Sequence, residues 1–195
     1  MTDIIIKKLS DSKGARWTAL IIVSFTMMMG YFLTDVMSPL ENMLETSCAQ
    51  GGMGWTSSEY GFFSGSYGII NVYLFMLFFG GIILDKMGIR FTGSMASSLM
   101  VIGAFIKFYA IAYISPEGTT YVNLPMFGLD HVMVKNQMLL ASLGFSIFGV
   151  GCEITGITVS KIITKWFTGH ELALAMGIQV ALARLGTAGA LSISV

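Results

Sequence analysis

Phe78-Phe79-Gly80-Gly81-Ile82-Ile83-Leu84-Asp85-Lys86-Met87-Gly88-Ile89-Arg90 ends a long apolar run in an acid, a base, a glycine and a second base. An apolar run stopped by charge and followed at once by another predicts a tight turn between two membrane helices. An acid at the carboxyl end of a helix faces the negative end of that helix's own dipole, so Asp85 needs a cation or another helix's amino end beside it. Lys86 and Arg90 are the local candidates. Gly88 falls where the chain must reverse within a few residues, a place that often demands positive φ, which glycine adopts without penalty.

The rest of the composition agrees with a membrane setting. Hydrophobic residues make up 54% of the 195 and charged residues 11%, with a mean hydropathy of +0.75. These values exclude a soluble globular domain and make the lipid bilayer the chain's first partner. Bases are not clustered with aromatics on a solvated face, so no nucleic-acid partner is implied. Cys48 in a loop and Cys152 in an apolar run form neither a disulfide framework nor a metal-spacing motif, and no cofactor is expected. The first apolar run begins near Trp17 and passes Leu33 without a small-residue cleavage site, so it reads as a span and not as a signal peptide.

Five spans are expected, at about 17–37, 60–84, 91–114, 137–163 and 172–195, after a cytoplasmic amino-terminal tail of residues 1–16. Each is long enough for the roughly 20 residues a bilayer requires. Eight of the eleven Lys and Arg residues then fall on one side, which the positive-inside rule assigns to the cytoplasm. The segments 41–59 and 115–136 fall outside. The fold class is all-α, a polytopic membrane helix bundle in a cell membrane, inner or plasma, with a cytoplasmic amino terminus. Because the last apolar run reaches Val195 without a polar flank, the chain reads as truncated within a longer bundle.

The pattern Gly81-x-x-x-Asp85-Lys86-x-Gly88-x-Arg90 resembles the loop signature between the second and third helices of the major facilitator superfamily of secondary transporters. Lys165-Trp166-Phe167-Thr168-Gly169-His170-Glu171-Leu172-Ala173, then Met176-Gly177-Ile178-Gln179 and Ala183-Arg184-Leu185-Gly186, resembles the fourth-to-fifth helix region of the same superfamily. Together with Gly149-x-Gly151-x-Glu153 and Asn71-Val72, these residues look most like the branch containing the lysosomal dipeptide transporters and their bacterial relatives. The resemblance implies the first half of a major facilitator fold, a second six-helix half in the same protein, and a conformational gating loop made of Gly81, Asp85, Lys86, Gly88 and Arg90. Phe145 stands where many members carry an arginine in the fourth helix, which leaves protons open as a coupling partner. No proline follows Pro125, so the fifth-helix motif of drug/proton antiporters is missing.

Four charges lie within the expected spans: Asp35, Lys107, Glu153 and Arg184. An ionisable group there costs several kcal/mol unless paired or hydrated, and is a functional hypothesis by default. At ~1.5 Å per residue, Glu153 sits roughly 15 Å above the cytoplasmic end of its helix and Arg184 roughly 18 Å above the start of the next, so the two share a level. They can pair, fixing helix register, or bind opposite ends of a zwitterionic solute in a wet cavity. Arg184 is the stronger candidate, having the planar fork that holds a carboxylate. Asp35 and Lys107, nearer the outer ends, are placed to snorkel. Tyr31 and Tyr67 join as further solute-binding candidates, because their spans border the cavity in the family resembled, and Asp35 is a solute-binding candidate as well as one placed to snorkel.

The expected function is secondary active or facilitative transport of a small polar solute by alternating access, with di- and tripeptides as the class the resemblance indicates. The alternatives are a non-transporting receptor or assembly subunit on the same fold, or a transporter of another small organic anion. An enzyme is not expected. Gly65-Ser66-Tyr67-Gly68 faintly resembles an intramembrane serine protease, but both histidines, His131 and His170, fall in segments on opposite sides of the membrane, where neither reaches that serine.

Overall fold

The computed structural model describes residues 12–124 and 129–193. Lys7 and Lys8 of the amino-terminal tail and the last two residues of the fifth expected span lie outside the described residues. The helices are α1 (Lys13–Asp35), the short α2 (Glu41–Glu45), α3 (Ser57–Tyr73), α4 (Met76–Tyr113), α5 (Asn136–Phe167) and α6 (Leu172–Ser192). Four stretches, 13–45, 76–113, 136–167 and 172–192, are long and apolar enough to cross a membrane. The chain is a multi-pass membrane helix bundle.

Helix α5 is the hub. It buries residues all round its circumference, from Phe145 and Phe148 to Ile154, Val159 and Ile163, as a helix enclosed by other helices must. Both α4 and α3 pack on it, while α1 packs chiefly on α6. Small residues set the approach between α4 and α5: a Cβ on Gly151 would lie 2.6 Å from the Ala96 carbonyl oxygen.

Neighbours along α5 reveal the path of α4. Gly80 faces Ile154 and Asp85 pairs with Lys161, so residues 76–87 run in the same direction as α5. Beyond Gly88 the direction reverses: Gly93 faces Thr158 and Gly103 faces Phe148. At the reversal Gly88 has φ 81 and ψ 171, a conformation closed to residues with a Cβ. The stretch 60–84, expected as one span, follows a single path along α5 but is two helices. Tyr67 sits against Gly149 and Gly80 against Ile154, with an interruption at Leu74–Phe75 where Phe75 takes φ 48.

The segment 115–136, expected as an outer loop, contains a hairpin. Strand β1 (Thr119–Leu124) pairs antiparallel with β2 (Leu129–Lys135), Thr119 opposite Lys135 and Val122 opposite Val132. Alternation of Thr, Val and Tyr suits a half-covered strand, but two strands alone are marginally stable in water. The bundle supplies the rest. The Lys135 amide donates to Glu59 Oε1 over 2.7 Å, and Val134 is buried. Glu59 also closes a capping box at the start of α3, accepting from the Thr56 amide at 2.9 Å while Thr56 Oγ1 accepts from the Glu59 amide at 3.2 Å. Beside it, Trp55 Nε1 donates to Gln137 Oε1, and Gln137 Nε2 donates to the Ile111 and Ile114 carbonyls that end α4.

Candidate solute site

Helices α1, α3, α5 and α6 bring expected site residues to the same region, α1 two of them and the others one each. On α5, Gly149 and Glu153 are four residues apart and share a face. A Cβ on Gly149 would collide with the Tyr67 carbonyl oxygen, so glycine there allows α3 to come close. The Tyr67 hydroxyl then donates to Glu153 Oε1 over 2.8 Å, a charge-assisted hydrogen bond. On α6, Gly186 does the same for α1, since a Cβ would strike the Met28 carbonyl. That approach sets the Arg184 guanidinium carbon 5.8 Å from the centre of the Tyr31 ring, within cation–π range. Tyr31 lies within electrostatic reach of Glu153, Arg184 and Asp35 together.

Glu153 and Arg184 were expected as a candidate pair. Among the described residues no ion pair joins them: a tyrosine attends each, Tyr67 on Glu153 and Tyr31 beside Arg184. Arg184 is exposed and Glu153 half-buried. Both charges act on Tyr31, and among the described residues neither neutralises the other.

Asp35 ends α1 and lines a cavity of about 140 Å³ together with Tyr67 and Phe145. Lys107 departs from expectation. It does not reach the outer interface but is 5% exposed, its ammonium donating to the Leu33 carbonyl at 2.8 Å and lying 4.7 Å from the Phe145 ring centre and 5.5 Å from that of Phe148. The last carbonyls of a helix lack intrahelical donors and carry the negative end of its dipole. Lys107 therefore caps α1 from another helix, a role α1 cannot fill itself because its last turn holds no base. The antiparallel register of spans three and four, which sets Lys107 beside Phe145 and Phe148, is the signal that would have placed it.

In the loop, among the described residues, Asp85 pairs with neither Lys86 nor Arg90. Lys161 of α5 donates to its Oδ1 at 2.5 Å. The reason is direction: residues 76–87 run alongside α5, so their carboxyl end arrives beside the carboxyl end of that helix. A cleft of about 780 Å³ opens there, lined by Asp85, Arg90, Lys161, Lys165 and Trp166 with aliphatic side chains of α1. Ser66, the serine of the protease-like tetrapeptide, is buried and donates to the Phe63 carbonyl of its own helix. Among the described residues no group of three or more His, Cys, Asp or Glu side chains is placed to hold a metal ion.

The lysosomal dipeptide transporter MFSD1 of Danio rerio is 31% identical to this chain over 113 residues, 57% of the chain and 20% of the relative. The same protein of Bos taurus is 28% identical over 57% of the chain and 19% of the relative, and that of Homo sapiens 27% over 57% and 20%. The chain thus spans about a fifth of the length of the curated relatives it matches. No protein family's model and no solved structure matches it. Helical membrane bundle, loop signature and relatives agree: the chain is related to the transporters of the major facilitator superfamily.

Proposed function

We propose that this chain is the solute-binding part of a secondary active or facilitative transporter that moves small zwitterions, di- and tripeptides above all, by alternating access. The observation that carries the reading is the unneutralised charge pair: Glu153 hydrogen-bonded by Tyr67, and Arg184 beside Tyr31, contributed by four different helices. Near the middle of a bilayer such charges are expensive unless they serve a solute path, and transporters of this kind bind their solutes at that depth. In this reading Arg184 grips the solute carboxylate in two-point contact, with a second helical half closing the other side. The dipeptide class comes from the names of the relatives, as does a lysosomal setting in place of the plasma membrane. The amino terminus and the loop at Asp85 face the cytoplasm, by the bias of bases to that side.

The test is binding of dipeptides to the purified protein, read as ligand-induced thermal stabilisation. Arg184→Ala abolishes the stabilisation, a loss of at least about 2 kcal/mol of binding, and Arg184→Lys retains little of it, because an ammonium cannot supply the planar fork. Full stabilisation of folded Arg184→Ala overturns the assignment.

A further inference from the structure

The cavity of about 140 Å³ at the outer end of α1 lies between α1, α3 and α5, and the residues lining it have one sign of charge. Thr34, Ser38, Tyr60, Ser64 and Tyr67 bring five hydroxyls and Asp35 a carboxylate, with no base among them. Aromatic walls complete it, from Phe63 and Phe145, whose rings stack at 5.1 Å. Asp35 has no hydrogen bond or ion pair among the described residues and stands at the carboxyl end of α1, where the helix dipole adds to its negative potential. Lys107, the cation at that end of α1, does not line the cavity and is engaged by the Leu33 carbonyl and two rings. Glu153 is engaged by the Tyr67 hydroxyl, whereas the half-buried Asp35 lines the cavity without a protein partner among the described residues.

A carboxylate and hydroxyl acceptors around a small space describe a host for a protonated amine. At roughly 30 Å³ per water the cavity has room for about four or five waters, or for an ammonium with a few attached carbons. We propose that this cavity binds the amino end of the solute, with Asp35 as its counter-ion, while Arg184 holds the carboxylate; the assignment rests on the transport reading above. Tyr31, which faces Arg184, and Asp35 are four residues apart on α1 and lie on one face. Their separation along the axis is ~6 Å, commensurate with the ~7 Å reach of a two-residue chain. The site thereby selects short peptides with a free amino group, and Tyr67, which lines the cavity, links it to Glu153.

Two measurements on the purified protein test this. In the first, dialanine and N-acetyl-dialanine are compared by thermal stabilisation. Wild type binds dialanine at least tenfold more tightly than the acetylated form, and Asp35→Asn, which keeps the shape of the side chain, loses that preference. If folded Asp35→Asn discriminates as well as wild type, the proposal is overturned. In the second, a hydrophobic carbodiimide modifies Asp35, followed by mass spectrometry of the peptide, with dialanine, N-acetyl-dialanine or ethylammonium chloride present. Protection by dialanine and ethylammonium but not by the acetylated form supports the site. Protection by ethylammonium where dialanine neither binds nor protects leaves the amine site standing and removes the dipeptide reading. Equal modification of Asp35 with and without both amines overturns the site, whatever the protein transports.

Discussion

Lys107 and Leu33 are joined by a 2.8 Å hydrogen bond from a buried ammonium on α4 to a carbonyl in the last turn of α1. Removing the donor leaves a helix-end carbonyl without its partner, for which the penalty is about 1–3 kcal/mol. Lys107→Met keeps the aliphatic stem between Phe145 and Phe148 and is expected to lower thermal stability by that order. A melting curve of the purified variant checks it, with Leu143→Ala on the exposed face of α5 as the control that changes little.

Glu59 joins two elements through one carboxylate, accepting from the Thr56 amide and from the Lys135 amide. Glu59→Ala loses the capping box and the anchor of the hairpin together, at a cost of about 1–3 kcal/mol. The specific signature is local: hydrogen exchange at the Lys135 amide accelerates, while amides in the centre of α5 keep their protection.

Gly149→Ala places a methyl group against the Tyr67 carbonyl. Overpacking of this kind costs typically about 1–3 kcal/mol, and here it also drives α3 away from Glu153. The variant is expected to be less stable and to bind dialanine more weakly, whereas Gly177→Ala, with open space around its Cβ, changes neither. Equal dialanine binding by the two variants would separate the Tyr67–Glu153 contact from solute recognition.

Asp85 and Lys161 form an exposed pair, with Asp85 77% exposed, and such pairs contribute about 0–1 kcal/mol. Asp85→Asn is therefore expected to leave stability nearly unchanged and to slow transport, the effect of a charge that secures one conformation over another. Exchanging the two charges, Asp85→Lys with Lys161→Asp, restores part of the rate. Uptake by reconstituted vesicles decides: a normal rate for Asp85→Asn makes the pair a surface contact with no part in gating.

Cys48 is exposed and Cys152 buried. In the proposed orientation residues 41–59 lie outside, so an impermeant maleimide added to sealed membranes is expected to label Cys48 and leave Cys152 unlabelled. Labelling of Cys48 only after permeabilisation reverses the orientation.

Fold class was legible because it depends on features a sequence carries locally: apolar runs of bilayer length, charges that end them, and a glycine where the chain turns at residue 88. Contacts across helices were not legible in the same way. Asp85 was matched to neighbours in sequence, yet its partner is 76 positions away, brought there by the parallel course of residues 76–87 and α5. Depth alone set Glu153 level with Arg184, but azimuth decides contact, and the close approaches at Gly149 and Gly186 interpose tyrosines. Lys107 was placed at the outer surface on distance from the helix end, without knowledge that an uncapped carbonyl of α1 lay within reach. The hairpin escaped notice because its stability comes from Glu59 on another element.

The interruption at Leu74–Phe75 divides an otherwise continuous path along α5, and it is flanked by large side chains that face outward: Val72 66%, Phe75 70% and Phe78 66% exposed. The backbone at the break keeps its partners within the chain: the Leu74 and Phe75 amides donate to the Ile70 and Val72 carbonyls, and those of Phe78 and Phe79 to the Phe75 carbonyl. The break is thus a joint in the fold, at which two rods meet along a face that α5 spans as one unbroken helix.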